Sequence, residues 1–331
     1  MIRKLIFRAE VSPIIGRGHL SRCVAIADML KNQFEVSFVF LKSEEDYASK
    51  LINKYTYFLI DHENDLLKTL QNEDIFWIDG YHFKEDWKKK IHKLVGNFIE
   101  TNDIPYMSEN VDVIFNQTPG LEKTQFKGTK AALYLGLDYA LLRQSFLETA
   151  TKPIRLDKGK GVFVCFGGVD TFKLGNKFVD ELLKNNFKDP IYCVTNTSTI
   201  EERKYNTKNV NILSNLSEKE MIHYMTIAKV VLIPSSVLSF EAMAIRKPIF
   251  TCYFVDNQKL INKGLLKQEL AHGVGYIETE KDVELVISNF LNFYDDDGLH
   301  LKQTIKQTQL LDGKSQKRIS DILLNFEKNF V

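Results

Sequence analysis

The residues best suited to chemistry stand at the ends of short apolar runs. The first group is Gly16-Arg17-Gly18-His19, which follows the run KLIFR and its closing Arg8. A helical pattern opens at His19 or Leu20. Glycines ahead of a helix let backbone approach a ligand closely and leave N–H groups that attract anions. The positive end of the helix macrodipole disfavours an imidazolium, so His19 is expected to be neutral, the form a general base needs. Arg22, three residues on, shares its face and suits a phosphate or a carboxylate. A capping histidine beside a surface arginine fits the same spacing. A dinucleotide fingerprint does not fit, because its third glycine would fall at Ser21 and no acidic residue closes the second strand at the usual distance.

Similar groups recur further on. GVFVCF ends in Gly167-Gly168, again suggesting close backbone approach, with Asp170 and Thr171 capping the next segment. KVVLI runs into Pro234-Ser235-Ser236 and a helix containing Glu241. Serine hydroxyls and free N–H groups at a helix start suit a diphosphate, and a carboxylate in the early turns can accept both hydroxyls of a ribose or simply complement the dipole. KPIFTCYF is followed by Val255-Asp256-Asn257-Gln258, amides able to read sugar hydroxyls, with Asp256 or Asn257 as an alternative helix cap. IFWIDGYHF places Asp79, Gly80, Tyr81 and His82 at another strand end. Asp79 and Tyr81 are the candidates there, since a loop histidine such as His82 is ordinarily solvated. Asn102-Asp103 and Asn116-Gln117 end two more runs with less specificity. The remaining histidines share no metal spacing and are assigned no chemistry, so no metal is expected, and with the dinucleotide fingerprint rejected no cofactor is expected either. The stretch Trp87-Lys88-Lys89-Lys90 reads as a solvated helix face, and Asp295-Asp296-Asp297 as a loop.

These groups need elements to position them. In the first half the apolar runs are KLIFR, EVSFVFL, YFLI, IFWI, NFIE and DVIFN, and segments of helical spacing, such as Leu20, Cys23, Val24, Ala27 and Leu30, lie between them. Apolar runs without polar alternation suggest strands buried on both faces of a parallel sheet. A polar stretch at 149–160 reads as a linker. The alternation then restarts with GVFVCF, DPIYCV, NVNIL, KVVLI, KPIFTCYF and VGYI. The expected fold is therefore α/β, with Rossmann-like domains at 1–150 and 160–312 and a closing amphipathic helix at 313–331. Ligands of open parallel sheets bind outside the carboxyl ends of the strands, so the expected site is an interdomain cleft.

Composition narrows the function classes. The 331 residues are 44% hydrophobic and 26% charged, which excludes a disordered or fibrous chain. Forty-four Lys and Arg against 43 Asp and Glu leave a net charge of +1, and nothing global suggests nucleic acid or an anionic membrane. Cys23, Cys165, Cys193 and Cys252 are far apart and read as buried hydrophobes rather than a disulfide framework. No apolar run spans a membrane, and the opening residues lack a signal-peptide core, so a reducing cytoplasm is the expected compartment.

The set FRAE…GRGHLSRC, IDGYHF, LGLDYALLR, FGGVD and PSSVLSFEAMA…FVDNQ resembles the UDP-2,4-diacetamido-2,4,6-trideoxy-β-L-altropyranose hydrolases of pseudaminic acid biosynthesis. These are GT-B proteins related to the transferase that adds GlcNAc to lipid I. The resemblance covers roughly residues 3–270. It implies a GT-B-like fold, a UDP-sugar substrate and no metal. By motif match His19 would activate water and Tyr81 would lie near the reacting sugar. Gly167 and Gly168 would line the diphosphate, Ser236 would contact phosphate and Glu241 the ribose. Asn257 and Gln258 would sit beside sugar and nucleotide, and Arg8, Gly16 and Gly18 would shape the first loop. The chain departs from the family's pattern at Glu10, where Asp is usual, at Gly80, where His is usual, and at Asn102-Asp103. A GT-B glycosyltransferase using the same donor is the other reading of these motifs.

Overall fold

The computed structural model of the protein describes residues 2–12, 16–105, 108–153, 159–167, 170, 172–195 and 209–326. The chain divides into two compact units, residues 1–144 with 314–331, and residues 145–313.

The first unit is built on a seven-stranded parallel sheet. Its strands are β1 (Lys4–Ala9), β2 (Glu35–Leu41), β3 (Thr56–Ile60), β4 (Ile75–Asp79), β5 (Asn97–Thr101), β6 (Val113–Asn116) and β7 (Ala132–Leu135). The helices between them are α1 (Gly18–Leu30), α2 (Glu45–Ala48), α3 (Leu66–Thr69) and α4 (Glu85–His92). The strand order is β3-β2-β1-β4-β5-β6-β7, so the order reverses between β1 and β4. Every residue of β4, β5 and β6 is buried, which is why these stretches read as continuous apolar runs. Trp77 of β4 is fully buried against Phe7 and Phe115, and its indole N–H donates to Thr101 Oγ1 at 2.8 Å. Burying the ring without that acceptor would leave an unpaired donor in the core.

The second unit carries six parallel strands: β8 (Val162–Cys165), β9 (Ile191–Val194), β10 (Val210–Leu213), β11 (Val230–Pro234), β12 (Ile249–Tyr253) and β13 (His272–Tyr276). Their order is β10-β9-β8-β11-β12-β13, reversing between β8 and β11. The helices are α5 (Gln144–Ala150), α6 (Leu174–Lys184), α7 (Glu218–Ile227), α8 (Val237–Ala244), α9 (Lys259–Lys267), α10 (Glu280–Tyr294) and α11 (Asp297–Leu310). The core joins Val162, Val164, Leu232 and Phe250 of the sheet to Phe178 of α6 and Phe290 of α10. α12 (Ser315–Leu324) then returns to the first unit, where the Ser315 hydroxyl donates to Ala140 O and the Gln316 amide to Met29 O.

Some sequence expectations need correction. The short strand β7 is not among the expected runs. Lys88 does not lie on a solvated face: it is fully buried on α4, with its ammonium 2.7 Å from the equally buried Glu100 carboxylate. Neither Asp256 nor Asn257 caps α9, whose N-cap position is Gln258 after a short 3₁₀ turn. All four cysteines are buried and free. Among the described residues, no helix is long and apolar enough to cross a membrane.

Candidate functional site

In each sheet, the two strands at the order reversal point their carboxyl ends into the position where open α/β sheets bind ligands. In the first unit these are β1 and β4, in register from Leu5↔Ile75 to Ala9↔Asp79. The Glu10 amide donates to Asp79 O at 2.8 Å and extends the ladder by one bond. α1 starts directly after the first loop. It brings His19 and Arg22, one helical turn apart, over the end of β4.

Asp79 is the hub of the polar groups at this end of the sheet. Its buried carboxylate faces His19 Nδ1 from Oδ1 at 2.6 Å. Arg22 Nε donates to Asp79 Oδ2 and Arg22 Nη2 to Asp79 Oδ1, both at 2.7 Å. Arg22 Nη1 also donates to Asp103 Oδ1 at 2.5 Å. The Tyr81 hydroxyl donates to Asp103 Oδ2 at 2.8 Å, and the Tyr81 ring stands edge-on to His19 with centroids 4.9 Å apart. His19, Asp79, Arg22, Asp103 and Tyr81 thus form a closed circuit. Asp79 resists protonation: burial would raise its pKa, but Arg22 and His19 overcome this and hold it down at about 2. An ionised carboxylate only accepts, so the proton shared with His19 sits on Nδ1 and leaves Nε2 as the basic nitrogen. Nε2 takes no hydrogen bond from a described residue, and the side chain is 8% exposed.

The charge expected on His19 changes accordingly. Burial lowers the imidazole pKa, but the Asp79 carboxylate more than offsets this, with Asp103 adding to it, and the net shift is upward. The helix terminus does not decide the matter. Arg22 also differs from expectation: its guanidinium is held by two carboxylates and orients Asp79, rather than standing open to a phosphate. Arg8 is fully buried and turned to Glu63 and Glu44, with Nη2 2.6 Å from Glu63 Oε1. Gly16, in the first loop, takes φ +84°, and a Cβ at Gly16 or at Gly18, the first residue of α1, would meet no atom of a described residue within 4 Å. A Cβ on residue 80 would lie 2.6 Å from Glu10 Cβ and 3.0 Å from Phe83 Cε2, so glycine at 80 makes room for these two side chains.

In the second unit the corresponding strands are β8 and β11. Gly167 follows β8 with φ +99°, a conformation that favours glycine, while Gly168 lies outside the described residues. Ser236 is the N-cap of α8, its hydroxyl accepting from the Leu238 amide at 3.3 Å. The Ser235 hydroxyl is engaged internally, 2.8 Å from Thr251 Oγ1 and accepting from Asn262 Nδ2 at 3.0 Å. Glu241 is buried on α8. Asn257 and Gln258 follow β12, and Gln258 Oε1 accepts from the Phe254 amide at 3.2 Å. Among the described residues, no group of three or more His, Cys, Asp or Glu side chains is placed to hold a metal ion.

Asp103 and Glu10 are the residues that sequence reasoning leaves out of the site. Their signal is present but weak. Each lies just beyond the carboxyl end of a strand, Asp103 in a pair of low specificity and Glu10 at a departure from a motif.

No protein-family model matches the chain, and no curated protein matches its sequence. Solved structures do resemble it. Against MurG of Acinetobacter baumannii the identity is 14%, covering 98% of this chain and 100% of that one, with a TM-score of 0.69. LpCGTa, solved in complex with UDP, matches at 10% identity over 98% of this chain and 99% of its own, with a TM-score of 0.64. A UDP-N-acetylglucosamine 2-epimerase matches at 11% identity over 97% and 95%, with a TM-score of 0.61. At such identities the likeness concerns the fold: the chain has the two Rossmann-like units of the GT-B architecture.

Proposed function

We propose that the protein hydrolyses a UDP-linked 2,4-diacetamido-2,4,6-trideoxyhexose to UDP and the free sugar, as a step toward a nonulosonic acid of the pseudaminic type. The observation that carries this reading is the His19–Asp79 pair, with Nδ1 2.6 Å from a buried carboxylate and Nε2 left as a base. Fixing the tautomer through an acidic partner is the arrangement by which histidine activates a hydroxyl nucleophile. Nε2 takes a proton from water as its oxygen bonds to the anomeric carbon. The bond from that carbon to the diphosphate oxygen breaks, and UDP leaves with the electron pair. A general base of this kind contributes about 10²–10⁴-fold. Tyr81, edge-on to the imidazole, is assigned to the reacting sugar. Asp79 and Arg22 act through His19. Gly167, Gly168 and Ser236 are assigned to the diphosphate, Glu241 to the ribose, and Asn257 and Gln258 to sugar and nucleotide. The reaction as written requires no metal or cofactor. No nucleic-acid partner and no membrane insertion are invoked, and a cytoplasmic location is part of the proposal.

UDP as the nucleotide carrier is supported by the resemblance in motifs and by the UDP bound in one structural neighbour. That one of the solved structures sharing this fold is named as a glycosyltransferase, CalG4, favours a second reading, transfer of the sugar from UDP to an acceptor. The two separate in one experiment. The protein is incubated with a panel of UDP-activated diacetamido sugars and no acceptor, and the products are analysed. Free sugar appearing in step with UDP is expected. No release without an added acceptor would sink the hydrolase and leave the transferase.

A further inference from the structure

Tyr81 sits in the loop after β4, where no ladder bond fixes it, so side chains must hold it. Its hydroxyl is held by Asp103. Its amide is held by Glu10, whose Oε2 accepts from Tyr81 N at 2.7 Å. The other oxygen of Glu10 lies 3.1 Å from His82 Nδ1. The far side of the same ring, Nε2, lies 3.3 Å from Glu63 Oε1. A carboxylate on each ring nitrogen suits only the imidazolium, because a neutral ring would set a lone pair against one of them. The charged groups around this ring are Glu10, from the segment after β1, and Glu63, from the 3₁₀ turn after β3. Arg8 and Glu44 stand behind Glu63. Phe83 supplies an apolar face, its centroid 4.0 Å from that of the imidazole.

We propose that His82 is a positioning residue: its imidazolium bridges Glu10 and Glu63, keeps the Glu10 carboxylate on the Tyr81 amide, and so sets the Tyr81 ring against His19. The catalytic part of this rests on the reading of His19 and Tyr81 given above. The clamp itself does not. Burial opposes the charge on His82, but hydrogen bonds and attraction from Glu10 and Glu63 prevail and raise its pKa to about 9. A raised folded-state value means that the clamp's stabilisation is complete below the ordinary imidazole value of 6.5 and is lost as pH rises through about 9. The clamp is therefore closed at neutral pH and opens in alkali.

Two readouts test this on the full chain. In the wild-type protein, labelled in histidine rings and tyrosine amides, the His82 ring should titrate near pH 9, with the Tyr81 amide shift following the same midpoint. Glu10→Gln should abolish that response. In turnover of the UDP-sugar, His82→Gln should lower kcat about tenfold or more with little change in KM, since small misplacements of reacting groups are costly. It should also remove the alkaline limb of the pH profile, which His82→Lys should restore at higher pH. A Tyr81 amide indifferent to His82 titration overturns the clamp. So does His82→Gln with wild-type kcat and an unchanged alkaline limb. Should the wild type turn over no sugar nucleotide, the hydrolytic reading fails, while the amide titration still decides the clamp.

Discussion

His19 shows two electrostatic effects of unequal size. A helix N-terminus acts on a nearby charge by about 0.3–1 kcal/mol. A full charge at about 4 Å acts by about 4 kcal/mol at the effective dielectric of a protein surface. The Asp79 carboxylate at 2.6 Å therefore overrides the dipole, and one guanidinium shared between Asp79 and Asp103 leaves a residual negative charge that the imidazolium completes. In the proposed mechanism the base form of His19 appears only as pH rises through its raised value, so the acid limb of kcat/KM should lie above pH 6.5. Asp79→Asn keeps the shape but frees the tautomer and removes the charge. It should lower kcat by about 10²–10⁴-fold and move the acid limb to lower pH, because Arg22 remains beside the ring. His19→Asn should abolish turnover while UDP binding, followed by calorimetry, persists. A pH profile unmoved by Asp79→Asn would remove Asp79 from the mechanism. Asp79 itself acts on stability with the opposite sign. Its contribution is complete above the ordinary carboxylate value of 3.8 and is lost as pH falls toward 2.

At the scale of elements, the pairing of α4 with β5 depends on a buried ion pair. Lys88 and Glu100 are both fully buried, and Lys88 also reaches Ser108 Oγ at 3.2 Å and Glu85 at 3.2 Å. Removing one partner leaves the other charge stranded, so Lys88→Met should destabilise the protein by about 3–5 kcal/mol in urea unfolding. The pair Lys88→Met with Glu100→Leu should recover most of that loss. Additive losses would mean that the pair is not the origin of the cost. Nothing in WKKK marks its second residue as buried, because helical spacing alone does not say which acid on a neighbouring strand is waiting. The strands are more legible. Their apolar runs stand out from the surrounding polar sequence everywhere except ALYL of β7, whose residues are only partly buried or exposed. The site is legible to the same depth. GRGH and IDGY each stand directly at a strand or helix end, so His19, Asp79 and Tyr81 can be found from local pattern. The circuit through Arg22 and Asp103 cannot, because it joins α1 to the loops after β4 and β5 and depends on their order in the sheet. Arg22 therefore reads as an open anion contact when it is a closed one.

At the scale of the whole molecule, the chain's last stretch belongs to the unit that contains its beginning. α12 adds the fully buried Ile319 and Leu323 to the first unit, along with the hydrogen bonds of Ser315 and Gln316. Two buried aliphatic side chains stabilise by about 1.5–3 kcal/mol each, before the loss of their backbone bonds is counted. Deleting residues 314–331 should therefore weaken the first unit specifically. The protein has a built-in reporter for this, since its two tryptophans, Trp77 and Trp87, both lie in that unit. The truncated chain should show its tryptophan fluorescence midpoint in urea shifted well below that of the full chain. The second unit has its own sheet and its own core around Phe178, Phe250 and Phe290, so a share of the far-UV circular dichroism should survive past that midpoint. If fluorescence and circular dichroism fell together at the wild-type midpoint, α12 would be an ornament on the first unit rather than part of its core.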